Sequence, residues 1–292
     1  MSFLLQQILN GAMYGCTYAL VGIGFNLVFG VMNMINLAYG EVIMAGAFIA
    51  LALVVFLDTP LLLAGLAAAA ACAVIGMIVE WTCLRPIRGA HYMAPLLTTI
   101  GASIVLLEIF IKIFSTEEWL FPTAFEFSQI KVAGLTVRVP YLIILGVSLT
   151  LMIALHFWIT RTQNGRAVRA MAENVDAARL MGINVDALTS LTFALACALG
   201  AIAGVLIAIS SSIVSTTLGS EMLLKGFVVI VLGGLGSIPG AALGGVLLGI
   251  VEGVTVAYLP SLYRDFFSFG LLMIMLMARP TGLMGKRIAE RA

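Results

Sequence analysis

Charge is scarce in this sequence. Of its 292 residues only 10% are Asp, Glu, Lys or Arg, where soluble domains carry about 25%, so an ordinary cytosolic globule is excluded. The 15 basic and 14 acidic residues nearly cancel, leaving +1, and no basic patch suggests nucleic acid. His91 and His156 are the only histidines and have no metal-ligand spacing, so no metal site is expected. No Gly-x-Ser-x-Gly elbow and no His-Glu-x-x-His pair occurs, so the chain is not read as an enzyme. The glycine-rich run Gly233-Gly234-Leu235-Gly236-Ser237 lacks both a Gly-Lys-Ser/Thr and a preceding strand, which excludes a phosphate-binding P-loop. Cys16, Cys72, Cys83 and Cys197 lie in or beside apolar runs and read as small buried hydrophobes rather than a disulfide framework. The short alternating segments of a transmembrane β-barrel are missing as well.

What is present is apolar length. Hydrophobic residues make up 62% of the chain, gathered into repeated runs of roughly 20 residues, enough for a helix to cross a bilayer. The fold expected is all-α: one polytopic transmembrane helical bundle over residues 1–292, with about 8–10 membrane segments, some short or broken. Spans are expected near 5–29, 38–57, 61–82, 93–114, 140–159 and 187–210, followed by a short segment at 222–235 and two more at 241–259 and 266–278. The first has no positive n-region and is too long for a signal peptide, so it reads as a retained span.

Basic residues orient the bundle. Arg85 and Arg88, then Arg161, Arg166, Arg169 and Arg179, then Arg279, Lys286, Arg287 and Arg291 fall in alternate loops, which should face the cytoplasm. The 115–139 stretch, with Glu117, Glu118, Trp119 and Glu126, is then a periplasmic loop, and nine crossings place the N-terminus outside.

Two breaks resemble each other. Gly40-Glu41-x4-Gly46 opens the second span and Ser220-Glu221-x4-Gly226 the short seventh. Their opposite directions of entry suggest an inverted repeat, coincidence between two glycine-rich segments being the alternative. Interrupted segments in corresponding halves point to a translocation path, so Asn33, Asn36 and Glu41 are path or interface candidates. Glu252 joins them because it has no evident local partner inside an apolar run. Glu108 with Lys112, and Glu221 with Lys225, have the i,i+4 spacing of structural ion pairs. Gly245, Gly249 and Gly253 recur every four residues, a spacing that lets helix backbones approach closely.

The longest polar interruption is residues 160–186. Asn174 can cap a short helix. Asp176 in the first turn and Arg179 in the last match the helix dipole, and Gly182 suits a left-handed C′ position. Val168, Met171, Val175, Ala178 and Met181 form an apolar stripe at three- and four-residue steps, so the helix should lie on a membrane or in a partner's groove. A solvated connector is the bland alternative.

Several stretches carry a resemblance. Asp176-Ala177-Ala178-Arg179-Leu180-Met181-Gly182 resembles the Glu-Ala-Ala-x-x-x-Gly loop of ABC importer permeases, with Asp for Glu. Phe29-Gly30-Val31 through Gly40-Glu41, Arg85-Pro86-Ile87-Arg88, Asn164-Gly165-Arg166, Leu232 through Ala241 and Arg279-Pro280-Thr281-Gly282 extend the likeness along nearly the whole chain. Together they resemble the shorter of the two paired permeases of ABC importers for branched-chain and related hydrophobic amino acids. The resemblance implies a multi-pass subunit of the bacterial inner membrane, with Asn174, Asp176, Ala177, Ala178, Arg179 and Gly182 in a coupling helix. It also implies a second homologous permease and two cytoplasmic ATPases that bind ATP and Mg, leaving no cofactor in this chain. A periplasmic binding protein would deliver substrate. Importers of urea or short amides share most of these motifs. An ion-coupled secondary transporter or channel is the alternative from another class.

Overall fold

The computed structural model describes residues 2–32, 34–87, 93–122, 129–132 and 135–285. Asn33, Arg88, His91, Glu126, Lys286, Arg287 and Arg291 lie outside the described residues. Eleven helices follow in order: α1 (Ser2–Met32), α2 (Tyr39–Leu57), α3 (Leu61–Val79), α4 (Met93–Phe114), α5 (Val139–Arg161), α6 (Gln163–Glu173), α7 (Val175–Leu180), α8 (Val185–Ser211), α9 (Leu218–Gly233), α10 (Ile238–Tyr258) and α11 (Arg264–Ala278). The helix begun by α3 runs on through a π-turn at Glu80–Leu84 into a 3-10 turn at Arg85–Ile87. Among the described residues, eight helical stretches are long and apolar enough to cross a membrane. The ninth, α9, has 16 residues, about 24 Å at 1.5 Å per residue, short of a hydrocarbon core about 30 Å thick.

Glycine sets the tightest packing. A Cβ on Gly15 would lie 2.7 Å from the Gly245 carbonyl oxygen, and one on Gly253 2.8 Å from the Gly11 Cα. Any side chain there would force α1 and α10 apart, so the four-residue glycine spacing of α10 serves close approach as expected. Gly46 of α2 meets Ala201 of α8 in the same way. Around α1, α2 and α8 lies the main core, with Tyr18, Phe25, Tyr39, Phe48 and Phe193 fully buried.

Small strands occur in an otherwise helical chain: β1 (Trp119–Leu120), β2 (Gln129–Val132), β3 (Leu135–Arg138) and β4 (Ile213–Val214). β2 and β3 form an antiparallel hairpin within the 115–139 loop. β1 pairs antiparallel with β4, which fastens that loop to the segment leading into α9. Phe48, Phe110 and Phe114 stack beside this junction, with Phe48 and Phe114 ring centroids 4.7 Å apart.

Candidate functional site

The polar 160–186 stretch forms two helices rather than one. Thr162 caps α6, its Oγ1 accepting from the Gly165 N–H at 3.0 Å. Asn174 then breaks the path with extended dihedrals (φ −161°, ψ 110°) and caps α7. Its Oδ1 accepts from the N–H groups of Asp176 and Ala177, both at 3.0 Å. Gly182 holds φ +84°, the left-handed conformation that suits glycine.

The break divides the expected stripe. Val168, Met171 and Ala178 are buried with Val31, Val185 and Leu188 in a small second core, which fixes the helix pair to the bundle. Met181 belongs elsewhere: it is 84% exposed, beside Leu180 at 89%. Met181 lies past the last residue of α7, in the turn that leads to Gly182. Asp176, Ala177 and Arg179 are also exposed. Two large apolar side chains thus project from a polar tip at the end of the bundle that carries the basic loops.

Glu252 has no evident local partner along the chain, and tertiary structure supplies several distant ones. It is 1% exposed. The Tyr18 hydroxyl donates to Oε2 at 2.7 Å and the Ser268 hydroxyl to Oε1 at 2.9 Å. Lys225 Nζ lies 3.1 Å from both oxygens and also donates to the Tyr18 oxygen at 3.0 Å. Arg264 Nε sits 2.7 Å from Oε2, yet its N–H is misaligned and makes no hydrogen bond, so it adds charge alone. The expected Glu221–Lys225 pair is therefore not formed: Lys225 turns inward to Glu252, and Glu221 is exposed. Glu108 and Lys112 also stand exposed on α4 without pairing to each other.

Glu41 is held differently. It is 5% exposed, and its Oε1 receives one long hydrogen bond, from Ser103 at 3.4 Å. Its Oε2 is buried with no partner and points at the first turn of α9, where a Cβ on Gly219 would lie 2.6 Å away. The two broken segments meet here, for a Cβ on Gly40 would run into the Gly219 carbonyl. Ser103 lies halfway along α4, and the Tyr39 hydroxyl donates at 3.2 Å to the Ala196 carbonyl near the middle of α8. The first turns of α2 and α9 thus face each other in the middle of the helical layer. They diverge in opposite directions. α2 returns across the layer after α1, whereas α9 runs parallel to α1, with Lys225 beside Tyr18 and Val229 beside Gly22.

Asn36 is buried and shapes the entry to α2. Its Oδ1 accepts from the Ala38 N–H at 3.1 Å, and its carbonyl accepts from the Tyr39 N–H. Asn26 was not singled out from sequence. Its Oδ1 accepts from the Gly236 N–H at 2.9 Å, and its Nδ2 donates to the carbonyls of Ser237 and Gly234 at 3.0 and 3.3 Å. That amide clamps the turn between α9 and α10. A lone polar residue in an apolar helix was its only signal.

A cleft of about 350 Å³ opens between α1, α5 and α10, lined by Ile23, Met152, Phe157, Ile238, Pro239 and the polar His156.

Membrane-length apolar helices, with two interrupted segments that meet at mid-layer, define a multi-pass membrane permease. The chain belongs to the family described as the permease component of the branched-chain amino acid transport system, which it matches over residues 7–276. It is 37% identical to the high-affinity branched-chain amino acid transport system permease protein BraD of Pseudomonas aeruginosa, over 98% of this chain and 97% of that one. It is 36% identical to the corresponding permease protein LivH of Escherichia coli K12, over 99% of this chain and 98% of that one. Among solved structures it resembles PsaBC from Streptococcus pneumoniae in complex with Fab, with a TM-score of 0.50 and 14% identity over 93% and 91% of the two chains. That likeness concerns the fold alone.

Proposed function

We propose that this chain is a permease subunit of an ATP-driven importer of branched-chain and related hydrophobic amino acids in the bacterial inner membrane. Full-length similarity to permeases of that transport system carries the reading. In this reading the chain pairs with a second homologous permease and receives substrate from a periplasmic binding protein. It contains no ATP site of its own: two cytoplasmic ATPases bind ATP and Mg. Their force enters through α6 and α7, whose tip offers Leu180 and Met181 to an apolar groove while Val168, Met171 and Ala178 transmit movement into the bundle.

The test is leucine uptake into proteoliposomes holding the full set of subunits, with binding protein supplied outside. Uptake should require internal ATP and ignore an imposed proton or sodium gradient. Gradient-driven uptake by this chain alone would sink the reading. Replacing Leu180 and Met181 together by Asp should leave the chain folded but reduce ATP-driven uptake at least tenfold. Full activity in that variant would remove the tip from the coupling surface.

A further inference from the structure

Glu41 has the wrong surroundings for a residue that only holds the fold together. A buried carboxylate is costly unless paired and hydrogen-bonded, and Glu252 shows how this chain satisfies one when stability is the purpose. Glu41 has only the long Ser103 bond on one oxygen and nothing on the other. Its bare oxygen points into the junction where the first turns of a 19-residue and a 16-residue helix converge. Helix N-termini present unpaired N–H groups and a positive dipole end, which favour an anion. Gly40 and Gly219 let the two backbones meet directly, with Leu223 also against Gly40. Within one small volume the junction therefore offers a carboxylate for a cation and two helix ends for an anion.

We propose that Glu41 and the facing first turns of α2 and α9 form a mid-membrane station for a zwitterionic α-amino acid. The Glu41 carboxylate takes the ammonium group, and backbone N–H groups of the two helix ends take the carboxylate. In the structure described the junction is closed and Glu41 is occluded. Separation of α2 from α9 opens the station, and closure expels the substrate. The inference rests on the amino-acid importer reading for the class of substrate, and it adds the place and the groups that hold it.

The test is equilibrium binding of tritiated leucine to the assembled transporter in detergent, without binding protein or nucleotide, so that it does not depend on ATP-driven uptake. Wild type should bind saturably. 4-Methylpentanoate, which lacks the ammonium group, should compete at least tenfold more weakly than leucine. Glu41→Gln should lose at least tenfold in leucine affinity while eluting as the same assembled species, and Glu117→Gln, altering an exposed acid in the 115–139 loop away from the junction, should bind as wild type does. Absence of saturable binding by wild type would overturn the station, as would equal competition by 4-methylpentanoate or unchanged binding by Glu41→Gln. The competition series needs no variant, so the proposal stays testable even if Glu41→Gln fails to assemble. Failure of ATP-driven uptake alongside intact, Glu41-dependent leucine binding would count against the importer reading and for the station.

Discussion

Glu252 and Glu41 are both carboxylates buried inside an apolar bundle, and their surroundings differ in almost every respect. Around Glu252, four helices contribute: Tyr18 from α1, Lys225 from α9, and Arg264 and Ser268 from α11, with Glu252 itself on α10. Both of its oxygens are hydrogen-bonded and two cations offset its charge. Glu41 has one weak donor and a bare oxygen facing an opposed pair of helix ends. A fully satisfied ionic cluster locks helices together, because removing one member strands the others. A half-satisfied carboxylate contributes little to locking and leaves an electrostatic vacancy for something else to fill.

The contrast can be broken most directly at Glu252. Glu252→Ala leaves Lys225 and Arg264 without their shared carboxylate, and loss of one member of a buried pair costs about 3–5 kcal/mol. The thermal midpoint of the purified chain in detergent should fall sharply, and Lys225→Met added to it should recover part of the loss. An unchanged midpoint would dissolve the distinction between the two acids. Asn26→Ala comes next. It frees the Gly236 N–H and the carbonyls of Gly234 and Ser237 in the α9–α10 turn, at about 1 kcal/mol, read by the same melt. Asn174→Ala should cost about 1 kcal/mol by uncapping α7, and hydrogen exchange at the N–H groups of Asp176 and Ala177 should rise while the buried spans stay protected. Glu41→Gln should be the mildest, within about 0.5 kcal/mol, because the amide oxygen can still accept the long Ser103 bond and no ion pair is broken. A midpoint drop for Glu41→Gln as large as that for Glu252→Ala would make Glu41 a structural residue.

Much of this arrangement was legible along the chain. Apolar runs separated by Asp58-Thr59-Pro60 or by charged loops placed the spans to within a few residues. Asn174, Asp176 and Gly182 announced α7, because capping and left-handed turns depend on residues a few positions apart. The paired breaks at Gly40-Glu41 and Ser220-Glu221 pointed to the helices that now meet. Where expectation failed, spacing had been taken for contact. Glu221 and Lys225 stand four apart on α9, but the side chains of α9 face different neighbours, and Lys225 reaches a carboxylate 27 residues away. Met181 continued a periodic stripe that ends with α7 at Leu180. Asn26 could not be read at all, since its three partners lie more than 200 residues on.

The sequence by itself determined that this protein is a helical membrane bundle, where its spans begin and end, and which polar stretch emerges at one end. Those properties depend on hydropathy and on backbone preferences that act within a turn or two of helix. Only the tertiary structure decided which buried charges are satisfied and which is left open. Pairing in a low-dielectric interior depends on distances of about 3 Å between side chains from different helices, and helix packing alone sets those distances.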